Sequence, residues 1–210
     1  MLELRHVSKR LGTRQVLDDV ALSCQRSEIV AILGSNGAGK STLLRIAAGI
    51  VRPDSGDVFI DGAPVHADAP TARRKLGYVP DTSETLLDLM VCELVHLVAR
   101  LKGVTVSPVD EAMAERLGVL PFWRQRLGTL SFGQRKRAHL LSALLGDPWL
   151  LLLDEPSNGL DPSGVALVTS LLVERASRGL GALLTTNEVA FLDTLPATRK
   201  SIAGGHLSPD

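Results

Sequence analysis

Aromatic residues are scarce in this sequence, at 3% of 210 residues, and neither sign of charge is in excess. The 23 Lys and Arg residues balance the 23 Asp and Glu residues, so the protein has no overall basic field that would attract nucleic acid. Leu, Val, Ile and Ala dominate instead, which is typical of an aliphatic α/β core. We therefore predict a single domain over residues 1–210 and exclude nucleic acid as a partner.

Cysteines are few, and long apolar runs are missing. Cys24 and Cys92 lack the C-x-x-C spacing of zinc or redox motifs, which fits a reducing cytosol and needs no disulfide framework. No run approaches the roughly 18 apolar residues of a membrane span, and the first ten residues lack the apolar stretch of a signal peptide. We expect a cytoplasmic protein that reaches a membrane only through a partner.

One glycine-rich stretch, Gly34–Thr42 (GSNGAGKST), matches the phosphate-binding pattern G-x-x-x-x-G-K-[ST]. Its glycines let consecutive backbone N–H groups turn around a phosphate, and the helix that follows points its positive end at the same anion. Lys40 is predicted to reach the β- and γ-phosphates, and the Ser41 hydroxyl to bind Mg²⁺. The predicted nucleotide-binding residues of this loop are Gly34, Ser35, Asn36, Gly37, Ala38, Gly39, Lys40, Ser41 and Thr42.

The flanks of this loop argue against the alternative, a glycine-rich turn without a ligand. Ile29–Leu33 is an apolar run of strand length, and Thr42–Ala48 is predicted to be a helix that ends at Gly49. A second apolar run, Trp149–Leu153, predicts a strand buried on both faces, and it ends in Asp154 and Glu155. These carboxylates are therefore expected at the same sheet edge as the loop.

The remaining sequence predicts three parts. Residues 1–80 combine an antiparallel β region with the loop and its core, residues 81–146 have helical periodicity from Thr85 onward, and residues 147–210 complete the core. Further strands are predicted at Leu2–Val7, Val16–Leu22, Asp57–Ile60, Leu76–Val79 and Leu180–Thr185, and helices at Val165–Ala176 and Glu188–Leu195.

Together with LSFGQ at Leu130–Gln134, the loop and the LLLLDE run resemble, in order and separation, the nucleotide-binding subunit of an ABC (ATP-binding cassette) transporter. The resemblance covers nearly the whole chain. It implies an α/β fold with a P-loop NTPase (RecA-like) core and a mainly parallel sheet, a small antiparallel β subdomain and a helical subdomain. It also implies ATP and Mg²⁺ as cofactors.

The same resemblance implies residue roles. Asp154 would hold Mg²⁺ through a water, and Glu155 would be the general base, although an ordinary pair of acids at a strand end is the alternative. Ser131, Gly133 and Gln134 of the signature motif and Asp161 of the D-loop would act across a head-to-tail dimer, on the nucleotide held by a second cassette. The basic run at residues 135–137 is expected to be a solvated helix face.

Three positions depart from the family pattern. Leu11 stands where an aromatic ring is expected to stack on adenine, which predicts weaker and less selective base binding. Asp81 stands in place of the glutamine that binds Mg²⁺, and it is either a charged metal ligand or only a turn residue after proline. Asn187 replaces the switch histidine, so it can hydrogen-bond a γ-phosphate but cannot be protonated.

The sequence thus predicts an ATP-binding subunit that hydrolyses ATP, slowly because of Asp81 and Asn187. It is expected on the cytosolic face of a membrane, attached to an integral-membrane permease that contacts the region Asp81–Gly103. A soluble ABC-type ATPase and a regulatory module that binds ATP but barely hydrolyses it remain as alternatives. The cargo and the direction of transport depend on the permease and are not encoded here.

Overall fold

The computed structural model describes residues 1–66, 74–81 and 86–209. The strands are β1 (Leu2–Leu11), β2 (Arg14–Cys24), β3 (Ile29–Leu33), β4 (Ser55–Ile60), β5 (Ala63–Pro64), β6 (Leu76–Val79), β7 (Leu150–Asp154), β8 (Gly181–Thr186), β9 (Thr198–Ala203) and β10 (His206–Pro209). The helices are α1 (Lys40–Ala47), α2 (Val91–Lys102), α3 (Pro108–Arg116), α4 (Phe132–Leu144), α5 (Pro162–Ser177) and α6 (Val189–Leu192). Short 3-10 turns lie at Leu120–Phe122 and Leu127–Thr129.

A six-stranded sheet in the order β10-β9-β3-β8-β7-β6 forms the centre of the protein. Its strands are parallel except for the pair of β9 and β10. Successive residues of β7 point to opposite faces, so Leu150 and Leu152 join one hydrophobic core, whereas Leu151 and Leu153 join the other. Burial on both faces explains why this strand is a continuous apolar run.

A four-stranded antiparallel sheet in the order β2-β1-β4-β5 packs beside this centre. Its last hairpin turns at Asp61 and Gly62, both of which have positive φ angles, as a tight two-residue turn requires. The predicted combination of a mainly parallel core and a small antiparallel sheet is therefore confirmed.

The helices α2, α3 and α4 lie between β6 and β7 in the chain and pack around a shared core. Ser107 and Ser131 cap α3 and α4, and each also takes part in a capping box with the residue three positions later. Residues 82–85, including Thr85 of the predicted helical region, lie outside the described residues, and the predicted division at residues 80 and 146 stays a prediction.

The structure corrects the sequence prediction at the C-terminal end of the chain. The helix predicted at Glu188–Leu195 spans only Val189–Leu192. The chain then tightens into i→i−3 hydrogen bonds, from Thr194 to Phe191 and from Leu195 to Leu192, before Pro196, which disfavours a helical conformation at Leu195. Strands β9 and β10 were not predicted at all, although β9 pairs directly with β3 beside the phosphate loop. No helix within the described ranges is both long and apolar enough to cross a bilayer.

Candidate nucleotide-binding site

A cleft of about 310 Å³ lies at the carboxyl ends of the parallel strands, where β3 leads into α1. Ligands bind at this edge in open α/β sheets because the helices that follow the strands direct their N-termini there. The cleft brings together ten residues predicted from the sequence, which are Leu11, Ser35, Asn36, Gly37, Gly39, Lys40, Ser41, Thr42, Asp81 and Glu155.

The phosphate loop has a backbone that only glycine fits at key positions. Gly39 has φ 110°, and a Cβ atom there would lie 2.7 Å from the carbonyl oxygen of Val16. A Cβ atom at Gly34 would lie 2.8 Å from the carbonyl oxygen of Ile202. Gly39 is also the N-cap of α1 and makes no side-chain cap, so the first N–H groups of this helix are open to a ligand. The loop therefore fits a polyphosphate.

Lys40 is the first residue of α1, and only 6% of its surface is exposed. Its Nζ donates to the carbonyl oxygen of Gly34 at 2.7 Å and lies 3.1 Å from Oε1 of Glu155. A buried ammonium needs such acceptors because an unpaired charge would be costly there. The two charged groups that the sequence assigned to phosphate binding and to base chemistry are thus direct neighbours.

The two carboxylates at the end of β7 have different surroundings. Asp154 is 1% exposed, and its Oδ1 accepts a hydrogen bond from the Thr185 hydroxyl at 2.7 Å. Glu155 has a φ angle of 47°, and its Oε2 accepts the backbone N–H of Asn187 at 3.2 Å. Asn187 therefore contacts the predicted base through its backbone. Thr185 was not predicted as a site residue, because the register that places it opposite Asp154 comes from the pairing of β7 and β8 and not from the local sequence.

The side chains predicted to hold Mg²⁺ provide a suitable donor set. Ser41 and Asp81 line the cleft, and Asp154 ends the strand beside it. One hydroxyl and two carboxylates are the hard oxygen ligands that Mg²⁺ takes in combination with phosphate oxygens. Asp81 has further partners, since its Oδ1 accepts the side-chain amide of Asn158 at 3.0 Å. Its role as a metal ligand stays a prediction.

The signature and D-loop residues lie outside this cleft. Ser131, Gly133 and Gln134 form the start of α4, where the Ser131 hydroxyl accepts the backbone N–H of Gln134 at 3.2 Å. Asp161 caps α5, and hydrogen bonds from Ser163 and the Gly164 backbone lower the pKa of its carboxyl group. Within one chain these residues do not join the phosphate loop. Their action on a second cassette's nucleotide stays a prediction.

Two basic residues at or beside the site were not assigned to it from the sequence. Arg14 was not predicted, yet it lines the cleft and donates to the carbonyl oxygen of Gly37 at 2.8 Å. Lys136 was expected on a solvated helix face, and this expectation is wrong, because Lys136 is only 5% exposed. Its Nζ points at the end of β7 and donates to the carbonyl oxygen of Glu155 at 2.8 Å.

Comparisons with known proteins agree with this geometry. Residues 17–158 match the family model described as ABC transporter. The uncharacterized ABC transporter ATP-binding protein YhcH of Bacillus subtilis is 32% identical over 197 residues, which are 93% of this chain and 64% of that protein. The Nod factor export ATP-binding protein I of Cupriavidus metallidurans is 35% identical over 193 residues, with coverage of 89% and 63%. The chain thus spans less than two thirds of the length of these relatives.

Solved structures resemble the fold over almost its full length. An ATP-binding subunit of an ABC transporter superposes with a TM-score of 0.89 at 27% identity, covering 99% of this chain and 88% of the other. The dimeric bacterial ABC transporter cassette MJ0796 gives a TM-score of 0.85 at 24% identity, covering 99% and 96%. With the family model matched over most of the chain, the conclusion is direct: the chain belongs to the ABC transporter family, in which it is similar to the ATP-binding proteins.

Proposed function

We propose that this chain binds and hydrolyses ATP as one member of a head-to-tail pair of cassettes and drives a separate membrane permease. The observation that carries the proposal is the cleft in which Lys40 and Glu155 lie 3.1 Å apart beside the phosphate loop. A cation for the phosphates and a carboxylate for the attacking water are the two groups that in-line phosphoryl transfer to water requires.

Different residues at the cleft would have different roles in hydrolysis. Phosphate oxygens would take over the Lys40 ammonium, which leaves the Glu155 carboxylate to orient a water and accept its proton. Mg²⁺ that enters with ATP would neutralise charge on the β- and γ-phosphates. Ser41, Asp81 and Asp154 would hold it there.

The remaining contacts to the γ-phosphate would come from a second cassette. Ser131 lies at the N-terminus of α4, where backbone N–H groups and the helix dipole favour an anion. Asp161 caps the neighbouring helix and would act at the same interface. The similar cassette MJ0796 is dimeric, which supports a pair of this kind.

A permease has a suitable apolar surface to contact. Leu97 and Leu101 of α2 are 37% and 74% exposed, and Ile50 after α1 is 56% exposed. Ile50 and Leu101 border a cleft of about 380 Å³ together with Tyr78 and Val98. Exposed apolar side chains that border a cleft are typical of protein interfaces. This surface includes part of the predicted docking region and would place the chain on the cytosolic face of the membrane.

Hydrolysis is tested by measuring ATP affinity and phosphate release for the wild-type chain and for Glu155→Gln, each with its permease. Loss of the base should lower release by about 100-fold or more while affinity stays within about threefold. Equal release by the two proteins would contradict the assignment of Glu155. Tight binding with no release by the wild type would instead favour the regulatory module.

The proposed contact with the permease is tested with Leu101→Glu, which changes the apolar surface but not the nucleotide cleft. We expect this variant to lose membrane recovery with the co-expressed permease, because a charge is buried in the contact. The exposed Val173→Glu on α5 is the matched control and should bind normally. If the wild type is never recovered with a permease, the soluble ABC-type ATPase is the better function.

A further inference from the structure

Lys136 of α4 is a buried cation that the roles given above do not explain. Its Nζ donates to the carbonyl oxygens of Glu155 at 2.8 Å, Asp81 at 3.2 Å and Asp154 at 3.3 Å. It also lies 3.5 Å from the Asp81 carboxylate and 5.4 Å from the centre of the Phe132 ring. A buried ammonium is retained only where acceptors surround it, so Lys136 is fixed in place.

The backbone that Lys136 contacts is strained. Glu155 has a φ angle of 47°, a left-handed conformation that a side chain longer than Asn or Asp rarely adopts. The Glu155 N–H donates to the carbonyl oxygen of Thr185 at 3.0 Å, and its own carbonyl oxygen accepts the N–H of Asn158 at 3.2 Å. Lys136 adds a charged donor to that same carbonyl. The direction of the Glu155 side chain follows from this backbone conformation.

We propose that Lys136 is a positioning residue, which holds the peptide of Glu155 so that its carboxylate stays in line with the phosphate loop. Because Lys136 belongs to the helix that begins at Ser131, it also connects the signature helix with the base of the same chain. A nucleotide held by a partner cassette and contacted by Ser131 of this chain would then influence the position of Glu155 in this chain. This inference rests on the proposed function, in which Glu155 is the base.

Arg175 provides a matched control at the opposite end of β7. It is 4% exposed, donates to the Asp147 carboxylate at 2.9 Å and also donates to the carbonyl oxygen of Pro148. Like Lys136, it is a buried cation on a helix that contacts an acidic residue and a main-chain carbonyl. Unlike Lys136, it lies away from the nucleotide cleft.

The first measurement is amide hydrogen exchange of the full chain without nucleotide, for wild type, Lys136→Met and Arg175→Met. The amides of Glu155 and Asn158 should exchange about tenfold faster in Lys136→Met than in wild type, because Lys136 no longer holds the Asp154 carbonyl, which shares a peptide with the Glu155 N–H, or the Glu155 carbonyl, which accepts the Asn158 N–H. They should keep wild-type rates in Arg175→Met. Equal exchange in the two variants would overturn the positioning role. Lys136→Gln and Arg175→Gln, which keep a donor, serve if the methionine variants do not fold.

The second measurement is kcat and KM for ATP, with and without Glu155→Gln. Lys136→Met should lower kcat by about 10- to 100-fold, which is the expected cost of a misplaced catalytic group, and leave KM within about threefold. In the Glu155→Gln background it should have no further effect, since it acts through that side chain. A full additional loss in that background would overturn the inference. If Glu155→Gln hydrolyses as fast as wild type, the proposed base is wrong, and the exchange result alone decides about Lys136.

Discussion

The two ends of β7 use the same structural elements for different purposes. At each end an acidic residue has a left-handed backbone, Asp147 with φ 45° and Glu155 with φ 47°. At each end a buried cation from a helix contacts that residue, Arg175 at the start of the strand and Lys136 at its end. The strand between them is fully buried.

The difference lies in the partners of the two carboxylates. Asp147 is 51% exposed and binds both Arg175 and Arg178, at 2.9 and 2.6 Å. Both arginines lie at the C-terminal end of α5, where cations are favoured by the helix dipole. Glu155 is 12% exposed, and its cation is Lys40 of the phosphate loop. The Asp147 carboxylate is neutralised by two arginines of the scaffold. The Glu155 carboxylate is paired with Lys40, which in the proposed function would bind a phosphate instead.

The largest expected effects come from removing the negative charge of one acidic residue at a time, at either end of β7. Asp147→Asn keeps a residue that tolerates the left-handed conformation but removes the ion pairs. It should lower the free energy of unfolding by about 2 kcal/mol, less than for a fully buried pair because Asp147 is half exposed. Phosphate release per folded molecule should be unchanged. Denaturant titration and an ATPase assay measure the two quantities.

Glu155→Gln is the matched change at the other end of the strand. It should lower the rate of phosphate release and leave the stability nearly unchanged, which is the opposite of the result expected for Asp147→Asn. Release should fall by about 100-fold or more. The free energy of unfolding should change by less than about 1 kcal/mol, because the amide oxygen remains an acceptor for Lys40, whose Nζ also donates to the carbonyl oxygen of Gly34. A large loss of stability in Glu155→Gln, or a large loss of rate in Asp147→Asn, would contradict the division of β7 into a structural end at Asp147 and a chemical end at Glu155.

A pH-dependent effect concerns α4, which runs from the chemical end back to the structural end. Burial, together with Arg135 and Lys136, lowers the pKa of His139 from 6.5 to about 4. The folded protein therefore holds His139 neutral, so its stability is complete above about pH 6.5 and is lost as the pH falls towards 4. Between about pH 8 and pH 5 this costs about 2 kcal/mol.

Equilibrium unfolding of wild type and His139→Leu across that pH range measures the effect. The variant should lose the part of the acid sensitivity that comes from His139. The exposed His96→Leu is the control and should retain it. An unchanged pH dependence in His139→Leu would show that the folded protein does not hold His139 neutral.

The sequence predicted the chemical end of β7 much better than the structural end. The strands Ile29–Leu33 and Leu76–Val79 match their predicted bounds, because both are short apolar runs that end at Gly34 and Pro80. The phosphate loop and the acid pair have local signatures as well. Asp147, in contrast, follows Gly146 in an ordinary turn, and its two arginines lie about 30 residues further along the chain.

The features that the sequence did not predict depend on contacts between segments that are distant in the chain. Strand β9 is polar, with Ile202 as its buried position, and it exists because β3 offers an edge for pairing. Lys136 belongs to a basic run that is usually solvated, and its burial follows from the carbonyl oxygens at the end of β7. No local pattern contains this information, because the acceptors are 18 and 19 residues away in sequence.

The smallest expected effect concerns Asn187, which contacts Glu155 through its backbone N–H at 3.2 Å. An asparagine cannot be protonated, so kcat between about pH 6 and 8 should show no histidine-like step. Asn187→His keeps the backbone contact and adds an imidazole, which should introduce such a step and change the rate at pH 8 by only about threefold. Asp147→His at the structural end is the control, and its rate profile should stay flat although its stability falls. If Asn187→His leaves both the rate and the profile unchanged, then residue 187 is not the switch position, and the contact with Glu155 is a matter of main-chain geometry alone.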